Sequence, residues 1–271
     1  MMNSILGSFS RTTLFIKISS ILHVLVLIFL IALPNLWPWA LAVFIINHLL
    51  IATIGLLPRS HWLGSNWTEL PAASVLRKEI ALTIDDGPDP IVTPQVLNIL
   101  DRFQVKVTFF CIGNKAAQYT DLCREIIRRG HAIENHSQQH RHNFSLLGLR
   151  GYRREILSAQ ETLLSITGVR PQFFRAPAGL RNPFLAPVLM RLNLQLVSWT
   201  VRGFDTQVTD ANKVKNKLIT KLKPGAILII HDGNAAHTSA NIPVILAVLP
   251  YLLEEAHKRG LYFVTLADAA K

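Results

Sequence analysis

Residues 79–94 read EIALTIDDGPDPIVTP, and this stretch decides the fold class. Ile80–Ile84 is a short apolar run of the kind that forms a buried strand, and it ends on the adjacent carboxylates Asp85 and Asp86. A Gly-Pro turn follows, and Thr93-Pro94 then predicts a helix start, because a capping hydroxyl precedes a proline at the first helical position. Strand, polar turn and helix in this order predict the first unit of an α/β domain.

The same alternation continues to the C-terminus. One helical segment ends at Arg128-Arg129-Gly130, where cations meet the negative end of a helix and glycine follows. Near-continuous apolar strands that alternate with helices are typical of parallel sheets. We therefore predict a (β/α) barrel of about seven strands, imperfectly closed, with a doubly wound sheet as the alternative. Besides Ile80–Ile84, the candidate strands are Lys106–Ile112, Ala132–Glu134, Gln172–Phe174, Leu194–Trp199, Ala226–Ile230 and Leu261–Val264.

The N-terminal region is different in character. Two apolar runs, about Ile18–Leu33 and Trp39–Leu57, each approach the roughly 20 residues that a helix needs to cross a bilayer. Pro34 and Pro38 separate them, and tryptophans at this break fit the aromatic belt of a membrane interface. We predict a transmembrane helical hairpin ahead of the α/β domain.

The charges that flank the hairpin predict its orientation. Arg11 and Lys17 precede it, Arg59 follows it, and the connecting turn carries no charge, so the positive-inside rule places the N-terminus and the large domain in the cytoplasm. The prediction is a multi-pass protein of the inner (cytoplasmic) membrane. A cleaved signal peptide is one alternative. A single signal anchor with an outward-facing domain is another, because Asn47 and His48 interrupt the second run.

These observations divide the chain into a membrane anchor over 1–58, a linker over 59–78 and a catalytic domain over 79–271.

The formal charge of +11 suits an anionic membrane surface or a phosphate-bearing substrate, although a generally basic proteome would give the same balance. No basic run is interleaved with aromatic residues, so nucleic acid is not a predicted partner. Only two cysteines are present, which excludes a disulfide framework and a cysteine metal site.

Candidate chemistry lies where strands end, as parallel α/β folds require. Asp85 and Asp86 can divide two roles, one as a metal ligand and one as a base. His136 and His140 would face one ion if this stretch is helical, and His231, at the end of Ala226–Ile230, can act as an acid. Each cluster alone is equally compatible with an ordinary polar turn, loop or strand end.

A fourth candidate cluster contains an arginine. Arg175 follows the candidate strand Gln172–Phe174, within the sequence Arg-Ala-Pro-Ala-Gly. A guanidinium there can hold a neighbouring aspartate in its ionised state. The alternative is a proline-bent loop with a surface arginine.

Taken as a set, the motifs resemble those of the polysaccharide deacetylase family, also called carbohydrate esterase family 4. The resemblance runs from about Glu79 to the C-terminus and implies a distorted (β/α) barrel. It also implies site roles: Asp86, His136 and His140 bind a divalent metal, Asp85 is the general base for the attacking water, Arg175 orients Asp85, the backbone N–H of Ala178 stabilises the oxyanion, and His231 protonates the leaving amine.

Three positions depart from the family pattern. Ala178 stands where the family often has tyrosine, which removes a substrate contact. Asp205 is the candidate for tuning His231, but the tryptophan of the usual fourth motif does not follow it. Ile229 stands where leucine contributes to the acyl pocket, so it is a candidate substrate-binding residue.

The resemblance implies a metal-dependent N-deacetylase of an N-acetylated amino sugar. Zinc is the expected metal, and iron, cobalt or nickel also suit two imidazoles and a carboxylate. The hairpin and the basic domain favour an N-acetylhexosamine on a polyprenyl-phosphate carrier, used in modification of envelope glycolipids. The alternatives are a deacetylase of peptidoglycan, chitin-like or exopolysaccharide chains, a deformylase of formamido sugars, and a non-catalytic, membrane-tethered carbohydrate-binding protein.

Overall fold

The computed structural model describes residues 12–271; Arg11, one of the charges in the orientation argument, lies outside them. Eleven α-helices are present in this range, together with short 3₁₀ turns that include Pro177–Gly179. The helices are α1 (Leu14–Ala32), α2 (Trp37–Gly55), α3 (Ala72–Leu76), α4 (Val92–Arg102), α5 (Gly113–Gln118), α6 (Thr120–Arg128), α7 (Leu149–Thr167), α8 (Leu185–Arg191), α9 (Ala211–Ile219), α10 (Val244–Lys258) and α11 (Leu266–Ala269).

Parallel strands form one curled sheet, an incompletely closed barrel, as predicted. Its order is β5-β4-β3-β2-β1-β7-β6, and β8 pairs with the start of β1. Because β5 and β6 are the two ends of this path, the barrel is open between them. The strands are β1 (Glu79–Asp85), β2 (Thr108–Cys111), β3 (Ala132–Asn135), β4 (Phe173–Phe174), β5 (Gln195–Leu196), β6 (Val201–Arg202), β7 (Ile227–His231) and β8 (Tyr262–Phe263).

Side chains point alternately to the two faces of the central strands, which separates the hydrophobic core from the candidate site. In β1, Ile80, Leu82 and Ile84 pack with the surrounding helices, and the residues between them face the inside of the barrel. Strand β7 follows the same rule, and it pairs with β1 in a register that sets Asp85 opposite His231. The two chemical groups therefore lie side by side on the inner face at the carboxyl ends of adjacent strands.

Two local sequence predictions are wrong. Helix α4 begins at Val92, and the Asp89 carboxylate accepts the Ile91 and Val92 N–H groups at 2.9 and 2.8 Å, while Thr93 bonds elsewhere. Strand β6 is absent from the predicted strands, because Val201–Arg202 follows the predicted strand Leu194–Trp199 without an apolar run of its own. The predicted helix end at Arg128 is confirmed, and Gly130 adopts the positive φ of 82° that follows such an end.

The segment 59–78, predicted as a linker, packs against the open side of the sheet. The Trp67 N–H donates to the Leu196 carbonyl at 2.9 Å, and the Ser198 N–H donates to the Trp67 carbonyl at 2.7 Å. Further along, the Leu70 N–H donates to Gly225 at the entrance of β7. This segment therefore bonds to β5 on one side of the opening and, on the other side, to the entrance of β7, the strand that pairs with β6.

Helices α1 and α2 form an antiparallel pair with exposed apolar surfaces, and both are long and apolar enough to cross a membrane. A signal sequence passes the same test of length and composition. The Asn47 side chain donates to the Ser19 hydroxyl at 2.8 Å, so a polar group that interrupts the second run is satisfied within the pair. At the base of α2, the Arg181 N–H donates to the Gly55 carbonyl at 3.2 Å, which joins the pair to the α/β domain.

Candidate metal centre and active site

Asp86, His136 and His140 lie together at the carboxyl ends of β1 and β3. Both imidazole Nε2 atoms are 3.2 Å from Asp86 Oδ1, and one donor atom from each residue falls within 4.8 Å of the others. The His136 Nδ1–H donates to the Arg175 carbonyl at 2.9 Å, so Nε2 is the ring nitrogen that faces Asp86 and could bind a metal. Two imidazoles and a carboxylate, oriented in this way, fit a divalent transition metal with open positions.

The protonation states also suit a cation. Burial alone would raise the pKa of Asp86, but the hydrogen bond and charge of His136, with smaller effects from His231 and His140, hold it well below its usual range. Burial, with the neighbouring His136, lowers the pKa of His140 to about 4. At neutral pH the carboxylate is therefore ionised and the His140 imidazole neutral, and a metal requires both states.

The segment from His136 to His140 is a loop. The prediction that both histidines face one ion assumed a helical turn there. Ser137 and His140 have positive φ angles of 62° and 51°. The Asn135 carboxamide accepts the Ser137 N–H at 2.9 Å, and the Ser137 hydroxyl accepts the His140 N–H at 3.0 Å. These side-chain bonds replace helical ones and still turn both imidazoles toward Asp86.

Asp85 lies beside this cluster, on the inner face of β1. Its Oδ1 accepts a 2.6 Å hydrogen bond from Arg175 Nη1, and its Oδ2 is 3.8 Å from His136 Nε2. Arg175 is fully buried, and its guanidinium lies 4.2 Å from the Phe110 ring centre. Its Nη1 also donates to the Thr83 hydroxyl, its Nη2 to the Ser198 carbonyl and its Nε to the Val197 carbonyl. The predicted Arg175–Asp85 pair is thus present, and it fixes one carboxylate oxygen while the other faces the cluster.

His231 and Asp205 form a second buried pair. The His231 Nδ1–H donates to Asp205 Oδ1 at 3.0 Å, and the His231 backbone N–H donates to Asp205 Oδ2 at 2.7 Å. Burial by itself would lower the pKa of His231, but the hydrogen bond and charge of Asp205, with the charges of Asp85 and Asp86, raise it. The imidazolium is therefore favoured, and its Nε2 remains to act as a proton donor.

The two predicted substrate contacts occupy different positions. Ala178 lies in the 3₁₀ turn Pro177–Gly179 after β4 and has a left-handed φ of 54°. Ile229 is buried on the inner face of β7, opposite Thr83 and two residues before His231. Ala178 therefore lies three residues after Arg175, and Ile229 lies on the strand that ends at His231.

The structure adds residues that sequence reasoning missed. The Lys115 ammonium donates to the Asp86 carbonyl at 2.8 Å, and the Asn234 amide donates to Asp86 Oδ2 at 3.2 Å. Asp232 lies behind the turn, where Thr93 donates to it at 2.5 Å and burial raises its pKa to about 7. A side chain at Gly87 would place Cβ 2.5 Å from both Asp232 oxygens, so any other residue there would displace the Asp232 carboxylate.

Comparisons with known proteins identify the family of this chain. A family model described as polysaccharide deacetylase matches residues 73–197. A chitooligosaccharide deacetylase of Azorhizobium caulinodans is 34% identical over 193 residues, which is 68% of this chain and 90% of that protein. A peptidoglycan-N-acetylglucosamine deacetylase of Bacillus cereus is 29% identical over 212 residues, which is 77% of this chain and 75% of that protein.

Solved structures give the same result. The crystal structure of a peptidoglycan N-acetylglucosamine deacetylase in complex with a hydroxamate-type benzamide superposes with a TM-score of 0.68 at 27% identity, and the match covers 75% of this chain and 92% of that one. A family 4 carbohydrate esterase from Streptomyces lividans, in complex with acetate, gives a TM-score of 0.62 at 28% identity, covering 68% and 91%. The chain therefore belongs to the polysaccharide deacetylase family and is a carbohydrate N-deacetylase.

Proposed function

We propose that this deacetylase removes the acetyl group from an N-acetylhexosamine carried on a polyprenyl-phosphate lipid. The observation that carries the reaction is the grouping of Asp85 with His231 beside the Asp86–His136–His140 cluster, because it supplies a base, an acid and three metal ligands in one place. The observation that carries the lipid is the apolar helix pair joined to the domain through Arg181.

The metal ligands in this proposal are Asp86, His136 and His140. Zinc is the proposed ion, and iron, cobalt or nickel would suit the same donors. When bound, such an ion acidifies a water and polarises the amide carbonyl.

The proton transfers belong to the two side chains on the inner face. Asp85 accepts a proton from the attacking water as the oxygen–carbon bond forms, and Arg175 keeps its carboxylate in place. His231 then gives its proton to the sugar nitrogen as the carbon–nitrogen bond breaks, so that acetate and a free amine leave. The Ala178 N–H stabilises the oxyanion, and Ile229 contacts the acetyl methyl.

The Asp205–His231 pair gives a pH prediction. Asp205 raises the pKa of His231, so the protonated acid persists to higher pH than it would alone. Asp205→Asn removes that charge, and we expect the alkaline limb of the kcat/KM profile to move to lower pH by about 1–3 units. Asp210→Asn is the matched control, because Asp210 caps α9 and asparagine caps equally well. An unchanged limb in Asp205→Asn would contradict the role of Asp205.

We further propose that 1–58 is the membrane anchor, that 59–78 connects it to the catalytic domain over 79–271, and that this domain is cytoplasmic. A reporter fused after Lys271 reads the membrane face directly. An outward-facing reporter would favour the second candidate function, deacetylation of a glycan polymer, which the named activities of the relatives support.

The substrate test compares initial rates of acetate release by the detergent-purified chain. The substrates are a polyprenyl-phosphate-linked N-acetylhexosamine, an N-acetylated chitooligosaccharide and peptidoglycan. We expect the highest kcat/KM on the lipid-linked sugar. A higher value on either glycan would overturn the lipid-linked proposal and leave the deacetylase class intact, and formate release from a formamido sugar in place of acetate would identify the deformylase variant.

A further inference from the structure

A large cavity of the described chain lies outside the metal-ligand cluster. It has a volume of about 1230 Å³, larger than the roughly 300–1,000 Å³ of a small-molecule pocket. One wall is the end of α2, from Leu50 to Leu57, and the other is the segment 199–204 with the last turn of α9. A helix that is apolar enough to lie in a membrane therefore forms one side of this cavity.

The cavity is cationic. Arg59, Arg202, Lys217 and Lys221 line it, together with His61, and no acidic residue of the described chain does so. Arg202 and Lys217 both approach the Phe204 ring, with the guanidinium carbon 5.2 Å and the ammonium 3.9 Å from its centre. The Arg202 Nε is buried and has no hydrogen-bond partner. These cations lie on an apolar surface with no acidic residue beside them. An anion bound in the cavity would supply the missing counter-charge.

The same cavity adjoins the active site. Pro58 and Trp199, which line it, pack against Gly179, since a Cβ there would lie 2.6 and 2.7 Å from them. Gly179 directly follows Ala178. Ser198, whose carbonyl accepts a hydrogen bond from Arg175, precedes Trp199, and Asp205 follows Phe204. The wall formed by 199–204 is thus continuous with residues of the site, and Pro58 on the opposite wall contacts the turn that carries Ala178.

We infer that this cavity binds a polyprenyl phosphate, with the phosphate held by Arg202, Lys217 and their neighbouring cations and the first part of the apolar chain lying along α2. The inference rests on the proposed function, because it explains how a lipid-linked sugar reaches the site. The apolar wall of a candidate membrane helix favours a lipid phosphate as the occupant, and charge complementarity assigns its head group to the cationic side.

Binding of the lipid without its sugar tests this inference separately from catalysis. The probe is a polyprenyl phosphate, compared with the polyprenol of equal chain length, at equilibrium with the detergent-purified full chain. We expect the Arg202→Gln/Lys217→Gln variant to bind the phosphate at least about tenfold more weakly than the wild type, and the wild type to bind the polyprenol more weakly by a similar factor.

Lys213→Gln/Lys215→Gln is the matched control, because both lysines lie on α9, neither lines the cavity, and the change in charge is the same. The control should bind as the wild type does. Equal binding of polyprenyl phosphate by the cavity variant and the wild type would overturn the inference, as would equal binding of phosphate and alcohol. Wild-type binding without acetate release from the lipid-linked sugar would instead overturn the proposed function and leave the cavity assignment standing.

Discussion

Asp85→Asn is expected to lower the rate of acetate release by about 10²- to 10⁴-fold, the usual contribution of a general base, while the metal content stays unchanged. Asparagine preserves the shape of the side chain and an oxygen that can accept from Arg175, but its amide cannot take a proton from water. Arg175 also keeps its bonds to Thr83 and Ser198. The three proposed metal ligands are not altered.

The measurement combines kcat with metal analysis on the same purified samples, and thermal unfolding confirms that the variant is folded. Asp121→Asn is the control, because the Asp121 side chain is 94% exposed and pairs with Arg124 rather than with a residue of the site. Asp121→Asn should retain full activity. An active Asp85→Asn enzyme, or one that had lost its metal, would contradict the separation of base from ligand.

Arg175→Met is expected to lower the free energy of unfolding by about 3–5 kcal/mol, the cost of breaking a buried ion pair by removing one partner. The guanidinium is buried beside Asp85, so the substitution leaves a carboxylate in the barrel without its cation. It also leaves the Val197 and Ser198 carbonyls without a donor. The measurement is urea unfolding in the presence of a chelator, so that no metal offsets the carboxylate charge.

A double variant separates the charge from the packing. Adding Asp85→Asn to Arg175→Met should restore part of the lost stability, because the unpaired charge is then gone. Arg124→Met is the surface control, and its exposed pair with Asp121 should contribute less than about 1 kcal/mol. If Arg175→Met and Arg124→Met had equal effects, the buried pair would not stabilise the barrel.

Much of the fold is predictable from the sequence because its signals are local. The apolar run at Ile80–Ile84 forms the core of β1, and the alternation of strands and helices predicts the parallel barrel. Strand β6 was missed because its two residues lie in no apolar run, and only their pairing with β7 defines the strand. The start of α4 was misplaced because Thr93 bonds to the distant Asp232 rather than capping the helix.

The candidate site likewise has residues that the sequence predicts and contacts that it does not. The adjacent carboxylates and the histidines could be placed at one edge of the sheet from the sequence, because strand ends of a parallel sheet converge. The resemblance to the deacetylase family then implied that Asp86, rather than Asp85, joins His136 and His140 as a ligand. The loop between the histidines could not be predicted, because its form depends on Asn135 and Ser137 bonding to backbone N–H groups. Lys115 and Asn234 reach Asp86 from separate loops, and no spacing in the sequence indicates either contact.

Metal-dependent deacetylation at the Asp86–His136–His140 cluster is the central claim, and acetate release before and after chelation tests it most directly. The assay follows release from an N-acetylated amino sugar by the purified chain, by the chelated chain, and by the chelated chain after zinc is returned. We expect activity to disappear on chelation and to return with zinc in the wild type, and to be absent throughout in His140→Ala. Full activity in a chain shown by metal analysis to hold no metal would contradict the claim.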